Sequence, residues 1–187
     1  MNGEGRETRE ILRRSEREFL MSTVSAKLKS SIENIEAGDY SIAKGHEGES
    51  VDVPRWMAEE LSSLGLAQAD DEPFEVEVLR ALSREKLMGP LQLSALPQNF
   101  YVRMMRRVRR LADVAGDDGA RKIELQRMKG NCYDIVGMRL SKLLALSSAS
   151  TTVRDAGANM APEEKEFFVS AQSLSKEWRG ALLGEGK

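Results

Sequence analysis

The spacing of apolar residues changes once along this chain, and that change limits the fold more than any other feature. Between Met21 and Val53 apolar residues tend to alternate with polar ones. Val24, Ala26 and Leu28 are separated by Ser25 and Lys27, Tyr40 and Ile42 by Ser41, and Val51 and Val53 by Asp52. A period of two belongs to strands with one covered face. From Val76 onward, apolar residues recur every three or four positions, the period of helices. The chain is therefore expected to be α+β, mainly α, with a small N-terminal β-rich domain followed by a C-terminal helical bundle.

Turn residues divide the first region further. Gly38-Asp39 and the polar stretch from Gly45 to Gly48 read as turns, with Ile32 and Ile35 ahead of the first. Pro54 fits the first position of a helix, where its missing N–H costs nothing. Trp56, Met57, Leu61 and Leu64 then follow at helical spacing, and Gly65 supplies a stop. Residues 21–69 are thus expected to form two to four short strands closed by one helix. A unit of about 50 residues makes a marginal core, so support from the rest of the chain or from a partner is expected. Before it, residues 1–20 form a charged leader with five Arg and five Glu, read as a solvated helix that only Ile11, Leu12 and Phe19 could dock. After it, residues 70–75 are acidic, contain Pro73, and read as a linker.

Residues 76–187 carry four apolar stripes, which suggest an up-and-down bundle. The first is Val76, Leu79, Leu82 and Leu87. The second, opened by Pro97, is Phe100, Met104, Val108 and Leu111. A long helix over residues 120–147 carries Leu125, Met128, Cys132, Ile135, Leu140 and Leu143. Pro162 opens the last, with Phe167, Ala171, Leu174, Trp178 and Leu182. Glu163 and Glu164 lie where a helix N-terminus favours acids and read as caps. Gly130 and Gly137 stand one heptad apart, and either a close helix approach or a bend would explain them. Residues 147–159 read as a Ser/Thr/Gly/Ala-rich loop.

The counts of reactive residues bound the chemistry. One Cys and one His cannot build a Cys/His zinc cluster or a His-pair metal site, and they leave no internal disulfide. A Cys132–His46 dyad ranks last, because Cys132 falls in a helical stripe and His46 in a polar turn. Neither a P-loop nor a dinucleotide-binding glycine pattern occurs, and no cofactor is implied. The N-terminus is charged where a secretory signal is apolar, and no run of apolar residues is long enough for a membrane span. A soluble intracellular protein without an enzyme site is expected. Net charge is -2, the wrong sign for a protein that coats nucleic acid with its whole surface.

Two stretches stand out as candidate binding elements. Arg103, Arg106, Arg107, Arg109 and Arg110 crowd one segment without an acid, and could meet phosphates or the carboxylates of neighbouring helices or subunits. Leu96-Pro97 followed by Phe100-Tyr101 places two aromatics at the start of a helix, as a core anchor or as an exposed hot spot.

Four segments, VDVPRWMAEELSSLGLAQ, LSALPQNFYVRM, DIVGMRLSKLLALS and MAPEEKEFF, occur in that order. Together they resemble the GINS family of DNA replication factors, in the class whose small β-rich domain precedes the helical one. The resemblance implies a non-catalytic scaffold built as a homo- or heterotetramer with other GINS subunits. It implies contacts with the MCM helicase and a RecJ/DHH-type helicase cofactor, links to primase and polymerase, and only weak or indirect contact with DNA. The short chain suits an archaeal member, cytoplasmic and nucleoid-associated; a eukaryotic one would be nuclear. Leu96, Pro97, Phe100 and Tyr101 would anchor the helical domain. Arg139, Lys142 and Leu143 match the family's R-x-x-K-[IL] pattern and would face a neighbouring helix or subunit. Trp56 would pack the small domain's helix on its strands, and Phe167 and Phe168 close the last matching segment. The competing reading is a winged-helix-like DNA-binding regulator, with residues 53–66 as one of its helices and the arginine segment gripping phosphates. Arg55 is the single base there, beside Asp52, Glu59 and Glu60, which is the wrong sign for a DNA groove.

Overall fold

The structure is a computed structural model that describes residues 4–69, 73–149 and 157–184. The chain divides into two compact units, Met1–Glu72 and Pro73–Lys187.

The first unit begins with helix α1 (Glu4–Met21). Strands β1 (Thr23–Leu28), β2 (Ile32–Ala37), β3 (Tyr40–Gly45) and β4 (Ser50–Pro54) follow, then helix α2 (Arg55–Ser63) and strand β5 (Ala67–Ala69). β1 is central to a three-stranded antiparallel sheet of order β4-β1-β5, while β2 and β3 form a separate hairpin. Alternation sets the register: Ala26 and Leu28 are buried on β1, Val53 on β4, and Ile32 and Ile42 on the hairpin. Met57, Ala58 and Leu61 of α2 cover that face. Trp56 packs on the edge of this core with its ring edge-on to Tyr40. A Cβ at Gly45 would run into a methyl of the buried Leu28 side chain, which would have to shift. The leader is more firmly held than its charge pattern suggests, because Phe19 is buried and the Arg55 guanidinium lies over its ring at 4.5 Å.

Two expectations for this unit are corrected. A fifth strand follows the helix; its three residues, Ala-Gln-Ala, are too short to show a period. Pro54 ends β4 and caps α2 from outside rather than opening it.

The second unit holds α3 (Phe74–Leu87), α4 (Phe100–Ala115), α5 (Gly119–Ser148), a 3₁₀ turn (Gly157–Asn159) and α6 (Pro162–Leu183). The proposed linker is too long at its C-terminal end, since Phe74 and Glu75 belong to α3, while residues 70–72 lie outside the described residues. α4 starts later than Pro97 suggests, because Asn99 caps it in a left-handed conformation with φ 56°. Asp118 caps α5, its carboxylate accepting from the backbone N–H groups of Ala120 and Arg121. The loop assigned to residues 147–159 is partly structured. α5 extends to Ser148 and the 3₁₀ turn begins at Gly157, while residues 150–156 lie outside the described residues.

The long α5 is the spine of this unit, with α3, α4 and α6 each packed against it. Phe74, Val78, Phe100, Leu111, Met128 and Ile135 form one core cluster, in which Phe100 meets Phe74 at 5.3 Å and Tyr101 edge-on at 5.7 Å. Leu93, Leu143, Leu146, Met160 and Phe168 form a second where α5 meets α6. A Cβ at Gly130 or Gly137 would meet nothing within 4 Å, so the close helix approach considered for them does not occur in this unit.

Candidate functional site

Two features of the helical unit bear on function: a buried charge cluster and an uncovered apolar row.

Arg139 sits on the covered face of α5, one turn from Ile135 and from Leu143, and its side chain has no exposure to solvent. A guanidinium can be buried only if its donors are used, and all five are. Nε and one terminal N–H hold both oxygens of Glu164, a bidentate pair that opens α6. The other terminal nitrogen donates to Glu85 at 2.8 Å and to the Ser94 carbonyl at 2.8 Å. The fifth donor goes to the Asn159 carbonyl at 2.9 Å. Lys142, one turn further along, gives its ammonium to Glu85 Oε1 at 2.7 Å and to the Glu85 carbonyl at 2.9 Å, capping the end of α3. Ser94 donates its hydroxyl and its N–H to Glu85. Tyr101 donates its hydroxyl to Glu164 at 2.6 Å, and the Ala161 N–H also points to that carboxylate.

Two cations therefore face two carboxylates, each saturated by directed donors. Burial pushes the Glu85 carboxyl up, but hydrogen bonds from Lys142 and Ser94 and the charge of Arg139 outweigh it, so the net shift is down. Burial and then the Glu164 charge push the Tyr101 phenol well above its ordinary value. Burial opposes the charge on Arg139, yet the contacts with Glu164 hold the guanidinium more firmly protonated than usual. The result is cohesion: one side chain of α5 ties together α3, the 93–94 segment, the 3₁₀ turn and α6.

Leu96 and Pro97 are half-buried beside this cluster's aromatic neighbours. Leu143 and Phe168 are core, whereas Phe167 is 38% exposed. Glu85 and Glu164 belong to the cluster but do not stand out as site residues in the sequence. The available signal was Glu85 itself, an acid one turn beyond Ala81 and Leu82 on the covered face that also holds Glu77.

Two arginines of the segment are paired from within. Arg103 pairs with Glu77 at 2.6 Å and lies over the Phe74 ring, and Arg107 pairs with Glu75 and Glu124. Arg106 is half-buried, while Arg109 and Arg110 are exposed. The acids of the first turn of α3 therefore meet Arg103 and Arg107.

Cys132 is buried, and burial pushes its thiol up to about 11, so it is a poor nucleophile near neutral pH. Among the described residues, no group of His, Cys, Asp and Glu could hold a metal ion, and no helix is long and apolar enough to cross a membrane.

The apolar stripes are only partly core. On α3 the covered face is Phe74, Val78, Ala81 and Leu82, while Val76, Leu79 and Leu87 of the expected stripe are exposed. On α5, Leu140 is exposed beside buried Arg139. The largest departure is α6, whose buried residues are Glu164 and Phe168. Leu174, Trp178 and Leu182 are 67%, 66% and 66% exposed, and with Phe167 they make one row at spacings of seven, four and four. Helical residues step by about 100°, so this row lies to one side of the face that α6 turns to α5. Large apolar residues exposed in a row differ from the singly scattered ones of an ordinary solvated face. No protein-family model matches the chain, and no curated protein matches it.

Proposed function

We propose that the chain is a non-catalytic subunit of a GINS-type replication scaffold, assembling with other subunits of its kind and holding the replicative helicase assembly together at the fork. The observation that carries the scaffold reading is the uncovered row Phe167, Leu174, Trp178 and Leu182 on α6. In a solitary chain these large side chains stay in water, whereas burying one of them fully is worth about 1.5–3 kcal/mol. A partner helix is the economical cover. The four-segment resemblance supplies the family, and the order of a β-rich unit before a helical one agrees with it. The helical anchor at Phe100 and Tyr101 and the Arg139–Lys142 cluster give the bundle a single rigid arrangement, which a scaffold needs in order to present its faces in register.

Affinity capture of the intact chain from native extract, read by mass spectrometry, tests this. Co-purification of an MCM subunit together with other GINS-like chains is expected. Capture of a purely monomeric chain, without either, would contradict the proposal.

A further inference from the structure

The outer face of α5 is uncovered and patterned. Ile123, Gly130, Tyr133, Gly137, Leu140 and Leu144 follow one another at steps of seven, three, four, three and four, the spacing of a seam between paired helices. All six are exposed, Tyr133 by 76%, and a Cβ at either glycine would meet nothing within 4 Å. After proline, glycine is the poorest residue for a helix interior, so two of them facing water weaken α5 with no compensation inside the chain. What they provide is bare backbone, two hollows one heptad apart that a second helix can approach closely.

Helix α6 carries matching relief. Phe167 and Leu174 also stand one heptad apart, so knobs and hollows both repeat at about 10.5 Å whichever way the helices run. Trp178 extends the row by a turn. The charges beside the two rows are opposite. By helical azimuth, Lys122, Arg127 and Lys129 flank the α5 row against one acid, Asp134. Glu163, Glu166 and Glu177 flank the α6 row, while Lys165 and Lys176 lie across the helix and Arg179 turns toward α5, donating to the Ser148 carbonyl at 3.3 Å. Two α6 rows packed antiparallel bring these acids together, whereas α6 on the α5 face sets acids against bases. The α6 of the same chain is already packed on the covered side of α5 through Leu143, Leu146 and Phe168, so the helix that fits comes from another copy.

We propose that the outer face of α5, centred on Gly130 and Gly137, is an interaction surface that receives the Phe167–Leu174–Trp178 row of α6 from a second copy of this chain. The inference rests on the assembly reading, since it names what covers the α6 row, but not on the family resemblance.

The test is analytical ultracentrifugation of the full chain at micromolar concentration. The wild type self-associates. Gly130→Gln with Gly137→Gln fills the hollows and raises the Kd at least about tenfold. The same variant unfolds in urea no earlier than the wild type, because the added side chains meet nothing in their own chain. Leu174→Glu with Trp178→Glu also gives single chains. Mixed in equal amounts, the two variants bind each other as a 1:1 pair, because one still offers its α6 row and the other its α5 face. A mixture that stays as single chains overturns the proposal, as does a glutamine variant that associates like the wild type or unfolds earlier. A wild type that is a single chain alone yet co-purifies with a different sibling chain overturns it too and leaves the scaffold reading standing. Self-association through these faces without capture of a helicase subunit does the reverse.

Discussion

Arg139 concentrates more of the second unit's cohesion than any other side chain, because its five donors reach four different segments. Replacing it with Met would leave Glu164 buried without its cation and Glu85 with Lys142 alone, and a loss of about 3–5 kcal/mol in urea unfolding is expected. Glu85 also predicts an acid dependence. Its carboxyl titrates below the ordinary glutamate value in the folded chain, so the unfolded chain takes up a proton first as pH falls. Its contribution is complete above the ordinary glutamate range and is lost as pH drops through the lower folded value. Urea midpoints measured from neutral pH down to about pH 3 should fall, with a flatter profile for Glu85→Gln. At Cys132 the expectation is kinetic: a thiol reagent should react slowly with the folded chain and quickly once urea unfolds it. The R-x-x-K pattern marked Arg139 and Lys142 in the sequence, but their partners were not legible. Glu85 and Glu164 lie 54 and 25 residues away, and only tertiary packing brings them together.

At the level of elements, period was legible and azimuth was not. The switch from alternation to helical spacing separated the β-rich region from the four long helices of the second unit, though it missed the three-residue β5. On α3, however, two faces competed, one through Val76 and Leu79 and one through Phe74 and Val78. The second is covered, and the two acids within it, Glu77 and Glu85, made it look less apolar than the face that stays in water. The α6 row raises the same issue in stronger form. Because Leu174 and Trp178 are exposed in the single chain, replacing both with Glu should change its own unfolding free energy by no more than about 0.5 kcal/mol per site. The same pair should abolish self-association or binding to a sibling chain, as read by size-exclusion chromatography. A large loss of stability in the single chain would instead mean that the row packs internally.

Across the whole molecule, a small β-rich unit precedes a helical unit whose interior is fixed by hydrophobic packing and by one charge-balanced cluster. What lies outside that interior, the uncovered row on α6, gives the chain its proposed role as an assembly subunit. The most direct test of that claim is light scattering on the protein purified from native extract without denaturant, so that any sibling chain is retained. The account predicts a particle of about four times the 20.8 kDa of one chain, which comes apart when Leu174 and Trp178 are replaced with Glu. A homogeneous particle of 20.8 kDa that unfolds cooperatively would contradict it.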